Sequence, residues 1–405
     1  MEATSLALDH FMCAVGDPLA DLRDIGPGHP EFDRAQIIRA AVGVLAKSPD
    51  ALPALAEVLK VGAGPGASPR TRAHLAAAQA WLDGDPVLAG ERYVSILRRW
   101  PHDLLALRLA QSCWFFLGQH DRSCAAIDLV MPAWSPDQPG FNSLLAMAAF
   151  AHAENGDAER AERLGRMALA VEPSCPMGVH AVAHALAESG RHREGARWMR
   201  EQDAQWHTRS RMCTHNAWHL AMFDAEEGDV PAALGVLDKW LLPAAEKSPV
   251  DACDAAGLLA RLEAAGVADA ARWKRISDAF ERRLSPGFWP YVDFYAALSH
   301  RAAGERTRLQ RLVEAIEHRA RDVDHAAHRA RTVTLPALRA LLSGGQPALL
   351  GAGGSRIQLS AARSPLAPRG GRQPQLPLER PVERRLGLVA DVRRDAEDRE
   401  IALAE

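Results

Sequence analysis

Four histidines near the middle of the chain occur as two pairs, each with a spacing of four residues: His180 with His184, and His215 with His219. Residues at positions i and i+4 of a helix lie on one face, so each pair would present two imidazoles together. Neutral imidazole binds zinc and iron, and it exchanges protons near neutral pH. The four histidines are therefore candidate metal ligands or acid–base groups. The spacing alone is a weak signal, because it lacks the glutamate of the HExxH metalloprotease motif.

The elements that must position these histidines are helices separated by regularly spaced glycines. Gly84, Gly118, Gly156, Gly190, Gly228, Gly266 and Gly304 follow one another at intervals of 34, 38, 34, 38, 38 and 38 residues. A glycine at a tight turn supplies a positive φ, and this period with a helix on each side is typical of helix-hairpin solenoids. Small residues at Ala149, Ala161 and Ala168 fit the tetratricopeptide pattern. The sequence predicts an all-α, superhelical solenoid of tetratricopeptide-like hairpins; the alternative is a non-repetitive helical bundle.

The distances from the turn glycines indicate which face the histidines share. The first pair lies 10 and 6 residues before Gly190, and the second lies 13 and 9 residues before Gly228. Within a pair these offsets differ by four, and between the pairs they differ by three or seven except for 9 and 10, so they form one helical stripe. The first helix of each hairpin lines the concave groove in such repeats, so the stripe should face that groove. The predicted groove residues are His180, His184, His215, Asn216, His219, Asp254 and Asp293, the two aspartates lying one position off the stripe.

Composition bounds the class of protein. The chain has 405 residues, a net charge of −3 and six scattered cysteines without a C-x-x-C pair. The cysteines are expected to be free thiols in a reducing compartment. No signal peptide and no run of roughly 18 apolar residues is evident. We therefore expect a cytoplasmic protein without a nucleic-acid or membrane partner. Its oligomeric state is left open.

Several long motifs carry a resemblance to a known family. They are HDLLALRLAQSCWFFLGQ (102–119), PAWSPDQPGFNSLLAMAAFAHAENGDAERAERLGRMALAVEP (132–173), VHAVAHALAESGR (179–191), CTHNAWHLAMFDAEEGD (213–229) and VDACDAAGLLARLEAAGV (250–267). From about Leu75 to Gln358 the chain resembles the tetratricopeptide repeat protein 38 family. This resemblance implies a superhelix of helical hairpins. It implies no reaction, because the family has no settled biochemical function.

Three regions are predicted along the chain. Residues 1–68 form an irregular helical N-terminal region, residues 69–358 the repeat solenoid, and residues 359–405 a tail rich in Gly, Pro and Arg. In the family, the Gly-Gly-Ser element that GGSRIQ (353–358) resembles opens a final amphipathic helix, whereas here no helical period follows. The tail is therefore either disordered or the product of a frame shift just after Gln358.

Two hypotheses for function follow from these patterns. In the first, the protein is a binding or scaffold module whose concave groove takes a peptide segment or a small ligand. In the second, the histidines and Asp254 form the site of a metal-dependent or acid–base enzyme. A packing role for the histidines is the remaining interpretation. Convergence of four imidazoles within a few ångström would favour the second hypothesis, whereas dispersed or mutually hydrogen-bonded side chains would favour the first.

Overall fold

The computed structural model describes residues 2–46, 49–206, 210–343, 349–350 and 356–357. The N-terminal region contains α1 (Ala3–Met12), α2 (Pro18–Asp21), α3 (Phe32–Leu45) and α4 (Leu52–Val61), with a 3₁₀ turn at Pro49–Ala51. Two short strands, β1 (Leu349–Leu350) and β2 (Arg356–Ile357), pair in antiparallel fashion near the other end. The predicted tail at 359–405 lies outside the described residues.

Between these ends, the described chain contains seven helix hairpins, which confirms the prediction of an all-α helical-repeat fold. The hairpins are α5 (Pro69–Leu82) with α6 (Pro86–Arg99), α7 (Leu104–Leu117) with α8 (His120–Val130), α9 (Phe141–Glu154) with α10 (Ala158–Val171), α11 (Pro176–Glu188) with α12 (His192–Glu201), α14 (Cys213–Glu226) with α15 (Val230–Val236), α17 (Pro249–Ala264) with α18 (Ala270–Arg283), and α19 (Pro290–Ala302) with α20 (Arg306–Arg319).

Shorter elements join or extend the hairpins. A 3₁₀ turn, Met131–Ala133, follows α8, and α13 (Asp203–Trp206) lies between the fourth and fifth hairpins. A π-helical segment, Leu237–Leu241, continues α15 into α16 (Leu242–Ala245). After the last hairpin, α21 (His325–Arg329) runs through a second π-helical segment, Ala330–Thr334, into α22 (Leu335–Leu342). Along the described ranges, no helix is both long enough and apolar enough to cross a membrane.

The turn inside each hairpin has the chemistry that the glycine spacing predicts. All seven turn glycines have a positive φ, between 66° and 94°. At four turns an aspartate follows the glycine directly or after two residues and caps the second helix: Asp85, Asp157, Asp229 and Asp269 each accept a backbone N–H three residues ahead. A cap of this kind stabilises a helix start by about 1 kcal/mol. The turns therefore fix both ends of each hairpin locally.

Close helix contacts rely on small residues. Ala149, Ala161 and Ala168 are fully buried. A Cβ atom on Gly165 of α10 would lie 2.6 Å from Cγ2 of Val182 on α11. Real Cβ atoms do not approach so closely, so a glycine is needed where these helices pack. This contact holds α11, which carries two of the four histidines, against its neighbour.

The solenoid closes on itself. The ring of Phe116 in α7 lies 4.7 Å from that of Trp289, at the start of α19, and Trp81 of α5 lies 6.0 Å from the same indole. Nη1 of Arg329 in α21 also donates a hydrogen bond of 2.8 Å to the carbonyl oxygen of Phe116. The first two hairpins therefore contact the last, and the concave side becomes the inside of a ring.

The N-terminal region reaches the histidine-bearing part of this ring. The backbone N–H of Arg211 donates to the carbonyl oxygen of Ala14 at 2.7 Å, and Val15 forms an isolated β-bridge with Ser210. These residues lie directly before α14. The segment after α1 therefore covers the N-terminal end of the helix that carries His215 and His219.

Candidate metal centre

The two predicted histidine pairs come together in the structure. They lie on α11 and α14, the first helices of neighbouring hairpins, which pack against each other. One possible ligand atom from each of His180, His184, His215 and His219 lies within 4.8 Å of the corresponding atom of every other member. We call these four residues the histidine cluster. The shared stripe predicted this convergence, while a role in metal binding stays a prediction.

Two carboxylates hold members of the histidine cluster from behind. Nδ1 of His184 lies 2.9 Å from Oε1 of Glu154, and Nδ1 of His215 lies 2.8 Å from Oδ2 of Asp254. An ionised carboxylate accepts a hydrogen bond, so each Nδ1 carries the proton and each Nε2 keeps its lone pair. Metal-binding histidines commonly have this arrangement, in which the carboxylate fixes the tautomer and raises the basicity of the ligand nitrogen. Nε2 of His184 then accepts a hydrogen bond of 3.0 Å from Nε2 of His180, so these two histidines are also bonded to each other.

Glu154 was missed by the sequence analysis, although a signal for it exists. It lies two residues before Gly156, and an offset of 2 continues the series 13, 9 and 6 on the same helical stripe. Burial acts to raise the pKa of Glu154, but the hydrogen bond and charge of His184 outweigh it and lower the pKa. Glu154 therefore stays ionised behind the cluster.

Burial keeps the two inner imidazoles neutral. His180 and His219 are each only 4% exposed. Burial, and then the charges of neighbouring histidines, hold the pKa of both well below the usual value for histidine. Nδ1 of His180 and Nε2 of His219 are buried and have no hydrogen-bond partner. The inner pair thus supplies neutral nitrogens at physiological pH, the form in which histidine binds a metal.

Aromatic rings fix the imidazole planes. Phe150 stacks on His180 with a centroid distance of 5.3 Å, and Trp218 stacks on His215 at 5.2 Å. Phe115 in turn packs on Phe150 at 5.3 Å. Stacked rings restrict rotation of the side chains and exclude water from their faces. The histidine cluster is therefore held in a partly apolar wall of the ring interior.

Asn216 and Asp293 are placed differently from the prediction that they line the groove. Asn216 is fully buried, and its Nδ2 donates to the carbonyl oxygen of Pro176 at 3.4 Å. Its neighbour along the chain, His215, points elsewhere because successive residues of a helix are about 100° apart. Asp293 is 1% exposed and accepts the N–H of Gly287 on both oxygens, at 3.0 and 3.1 Å, while burial raises its pKa to about 8. It closes the turn before α19.

The histidine cluster fits a transition metal in both chemistry and size. Four imidazole nitrogens suit zinc or iron, and the carboxylates lie behind the ligands rather than among them. Bonds of about 2.0–2.1 Å would place the nitrogens of a tetrahedral zinc site roughly 3.4 Å apart. The separations of up to 4.8 Å therefore require side-chain shifts of about 1 Å.

We expect the Glu154→Gln substitution to weaken zinc binding by about 10- to 100-fold, because loss of such a partner typically has this effect. The amide has nearly the same shape but no charge, and it would stabilise the proton on Nδ1 of His184 less. A chelator-competition titration measures the change. Glu159→Gln is the matched control, since Glu159 lies at the exposed start of α10 and pairs with Arg163. Equal zinc affinities for the two variants would contradict the role assigned to Glu154.

Comparison with known proteins adds little to this geometry. No protein-family model matches the chain. Among solved structures, the chain is similar to one described as the crystal structure of the APC/C hetero-tetramer Cut9-Hcn1, with a TM-score of 0.39 and 12% sequence identity. The match covers 84% of this chain and 69% of that chain. The assignment of a helical-repeat fold rests on the hairpins and turns of this chain itself.

Proposed function

We propose that this protein is a metal-binding helical-repeat protein whose histidine cluster holds one zinc or iron ion. The observation that carries the proposal is the convergence of four imidazoles, two of them backed by carboxylates. The depressed pKa values of the inner pair support it, because they keep the ligand nitrogens unprotonated. The convergence favours the metal hypothesis over a groove that acts through shape alone. The hydrogen bond of 3.0 Å between Nε2 of His180 and Nε2 of His184 favours the other interpretation, and binding of an ion by both nitrogens would replace it.

Two buried imidazole nitrogens of the cluster are available to a ligand. Buried polar atoms in folded proteins nearly always have a partner, and leaving one without a partner is unfavourable by about 1–3 kcal/mol. Among the described residues, Nδ1 of His180 and Nε2 of His219 have none, which is also true of Nδ1 of His74 and Nε2 of His152 outside the cluster. An ion bound by the cluster would satisfy at least one of them directly.

The contact that closes the ring argues against a groove that takes an extended peptide. An extended peptide needs a groove with open ends, whereas Phe116 and Trp289 meet across the point where such a groove would continue. We therefore propose that the concave side serves a small molecule rather than a peptide segment. His184, His215 and Asp254 remain partly exposed, so a small ligand has access to the metal centre.

The test is a zinc titration of full-length, untagged, metal-free protein, followed by X-ray absorption spectroscopy at the zinc edge. We expect one zinc per chain and a shell of nitrogen ligands with the scattering pattern of imidazole. The spectrum also separates this site from any formed by the six cysteines, because Zn–S bonds are longer, about 2.3 Å. Substoichiometric binding, or sulfur in the shell, would overturn the proposal.

Two broader assignments accompany this one. We propose that the chain is related to the tetratricopeptide repeat protein 38 family, supported by the long motifs quoted above. We also propose a cytoplasmic location, because all six cysteines are free thiols, the state that a reducing compartment maintains. Fractionation of cells that express the untagged protein would test the location.

A further inference from the structure

Beside the histidine cluster lies an arginine that has no carboxylate partner among the described residues. Arg108 of α7 is half-buried, and among the described residues its one hydrogen-bond contact is from Nη2 to Sδ of Met177 at 3.6 Å. Thioether sulfur is a weak acceptor. Burial lowers the pKa of Arg108, and the like charge of Arg211 acts in the same direction. The guanidinium is therefore a poorly compensated positive charge inside the ring.

Arginines elsewhere in the hairpins show what is missing at Arg108. Arg191 pairs with Glu162 and Glu194, and Arg272 pairs with Asp238 and Asp269. A buried cation without such a partner is unfavourable. Since the described chain supplies no carboxylate here, an anion from outside would complete the interaction.

The position of Arg108 places that anion next to the metal centre. Met177, which Arg108 contacts, lies three residues before His180 on α11. Residues at this spacing share a helix face, with Cβ atoms roughly 5–6 Å apart. The guanidinium thus lies about one helical turn from the cluster.

The surface around these groups is aromatic. Phe115 lies seven residues after Arg108, on the same face of α7, and it packs on Phe150, which stacks on His180. Both phenylalanines are partly exposed. One cation, one candidate metal centre and two aromatic faces therefore surround the same part of the ring interior.

We propose that the ligand of the metal centre is a small organic acid, with a carboxylate that pairs with Arg108 and a second group that coordinates the metal. Its carbon skeleton lies against Phe150 and Phe115. This inference rests on the proposed metal centre. Guanidinium binds carboxylate through two parallel hydrogen bonds, and a single arginine balances one negative charge. The spacing of about one helical turn leaves room for two to four bonds between the two groups of the ligand.

Two hydroxamates of equal length test the proposal. Succinic monohydroxamate has a zinc-binding hydroxamate at one end and a carboxylate at the other, whereas butanohydroxamate ends in a methyl group. Calorimetric titration of the zinc-loaded protein should show that the carboxylate-bearing probe binds about 10- to 100-fold more tightly, the range expected for a charge-assisted hydrogen bond. In Arg108→Met this preference should disappear while the zinc content stays at one per chain.

Arg108→Lys keeps the charge and should retain part of the preference, which provides a readout if the methionine variant folds poorly. Equal binding of the two probes by the native, zinc-loaded protein would overturn the organic-acid inference and leave the metal centre intact. A preference that survives in Arg108→Met would also overturn it. Absence of bound zinc from the native protein would overturn both the metal centre and this inference.

Discussion

Replacing His215 and His219 together by alanine should lower zinc affinity at least about 1000-fold, because it removes both ligands that α14 contributes. Loss of one partner behind a ligand typically weakens binding 10- to 100-fold, and loss of two ligands has a larger effect. The remaining pair, His180 and His184, lies on one helix and can hold an ion from one side only. A competition titration against a chromophoric chelator measures the change.

The double variant has a matched control in the same chain. His318 and His328 are exposed, so His318→Ala with His328→Ala removes two imidazoles without touching the cluster. At a free zinc concentration 100 times the dissociation constant, the native protein and this control should gain about 2.7 kcal/mol in stability, and the cluster variant almost none. Native-like affinity in the cluster variant would show that zinc binds elsewhere.

Asp103→Ala should destabilise the fold by about 2–4 kcal/mol, because it leaves a buried nitrogen of His74 without its partner and removes the cap of α7. Asp103 is 2% exposed. Its Oδ2 lies 2.8 Å from Nε2 of His74 and 2.6 Å from Nε of Arg70, and its Oδ1 accepts the N–H of Ala106 at 2.9 Å. One carboxylate thus joins α5 to α7 and caps α7. Urea denaturation of the metal-free protein measures the loss.

The contribution of Asp103 to the stability of the fold should decline at low pH. Burial acts to raise its pKa, but hydrogen bonds and charges from His74 and Arg70 outweigh burial and hold the pKa well below the usual value. Its contribution is therefore present above the unfolded-state pKa of about 3.9 and declines as the pH falls below that value.

A suitable control is Asp128→Ala, because Asp128 is 62% exposed and pairs with Arg160 at 3.7 Å. An exposed pair of this kind contributes at most about 1 kcal/mol. The interpretation of Asp103 fails if the two variants have equal free energies of unfolding at pH 7. It also fails if Asp103→Ala loses as much stability relative to the native protein in acid as it does at pH 7.

Local chemistry made the hairpins and most of the site predictable. A turn glycine with positive φ and a capping aspartate act over a few residues, so Gly156 and Asp157 can be recognised in the sequence. The histidine stripe was predictable for the same reason, because helical geometry alone determines it. Asn216 is buried although His215 beside it is partly exposed, since adjacency along the chain does not give adjacency on a helix face.

Contacts between distant hairpins were not predictable in this way. The approach of Phe116 to Trp289 depends on small angles between successive hairpins that accumulate around the ring. The pairing of Val15 with Ser210 joins parts of the chain that share no pattern. Arg108 illustrates a related limit, because its lack of a carboxylate partner becomes visible only when its surroundings are known.

Ring closure has a consequence for how this family of sequences can change. In an array with free ends, one unit can be gained or lost by recombination, since each unit packs only on its neighbours. Here, loss of any one hairpin would separate Trp81 and Phe116 from Trp289. The number of hairpins should therefore be constant at seven among close homologues. Length variation should be confined to the turns and to the segments outside the ring.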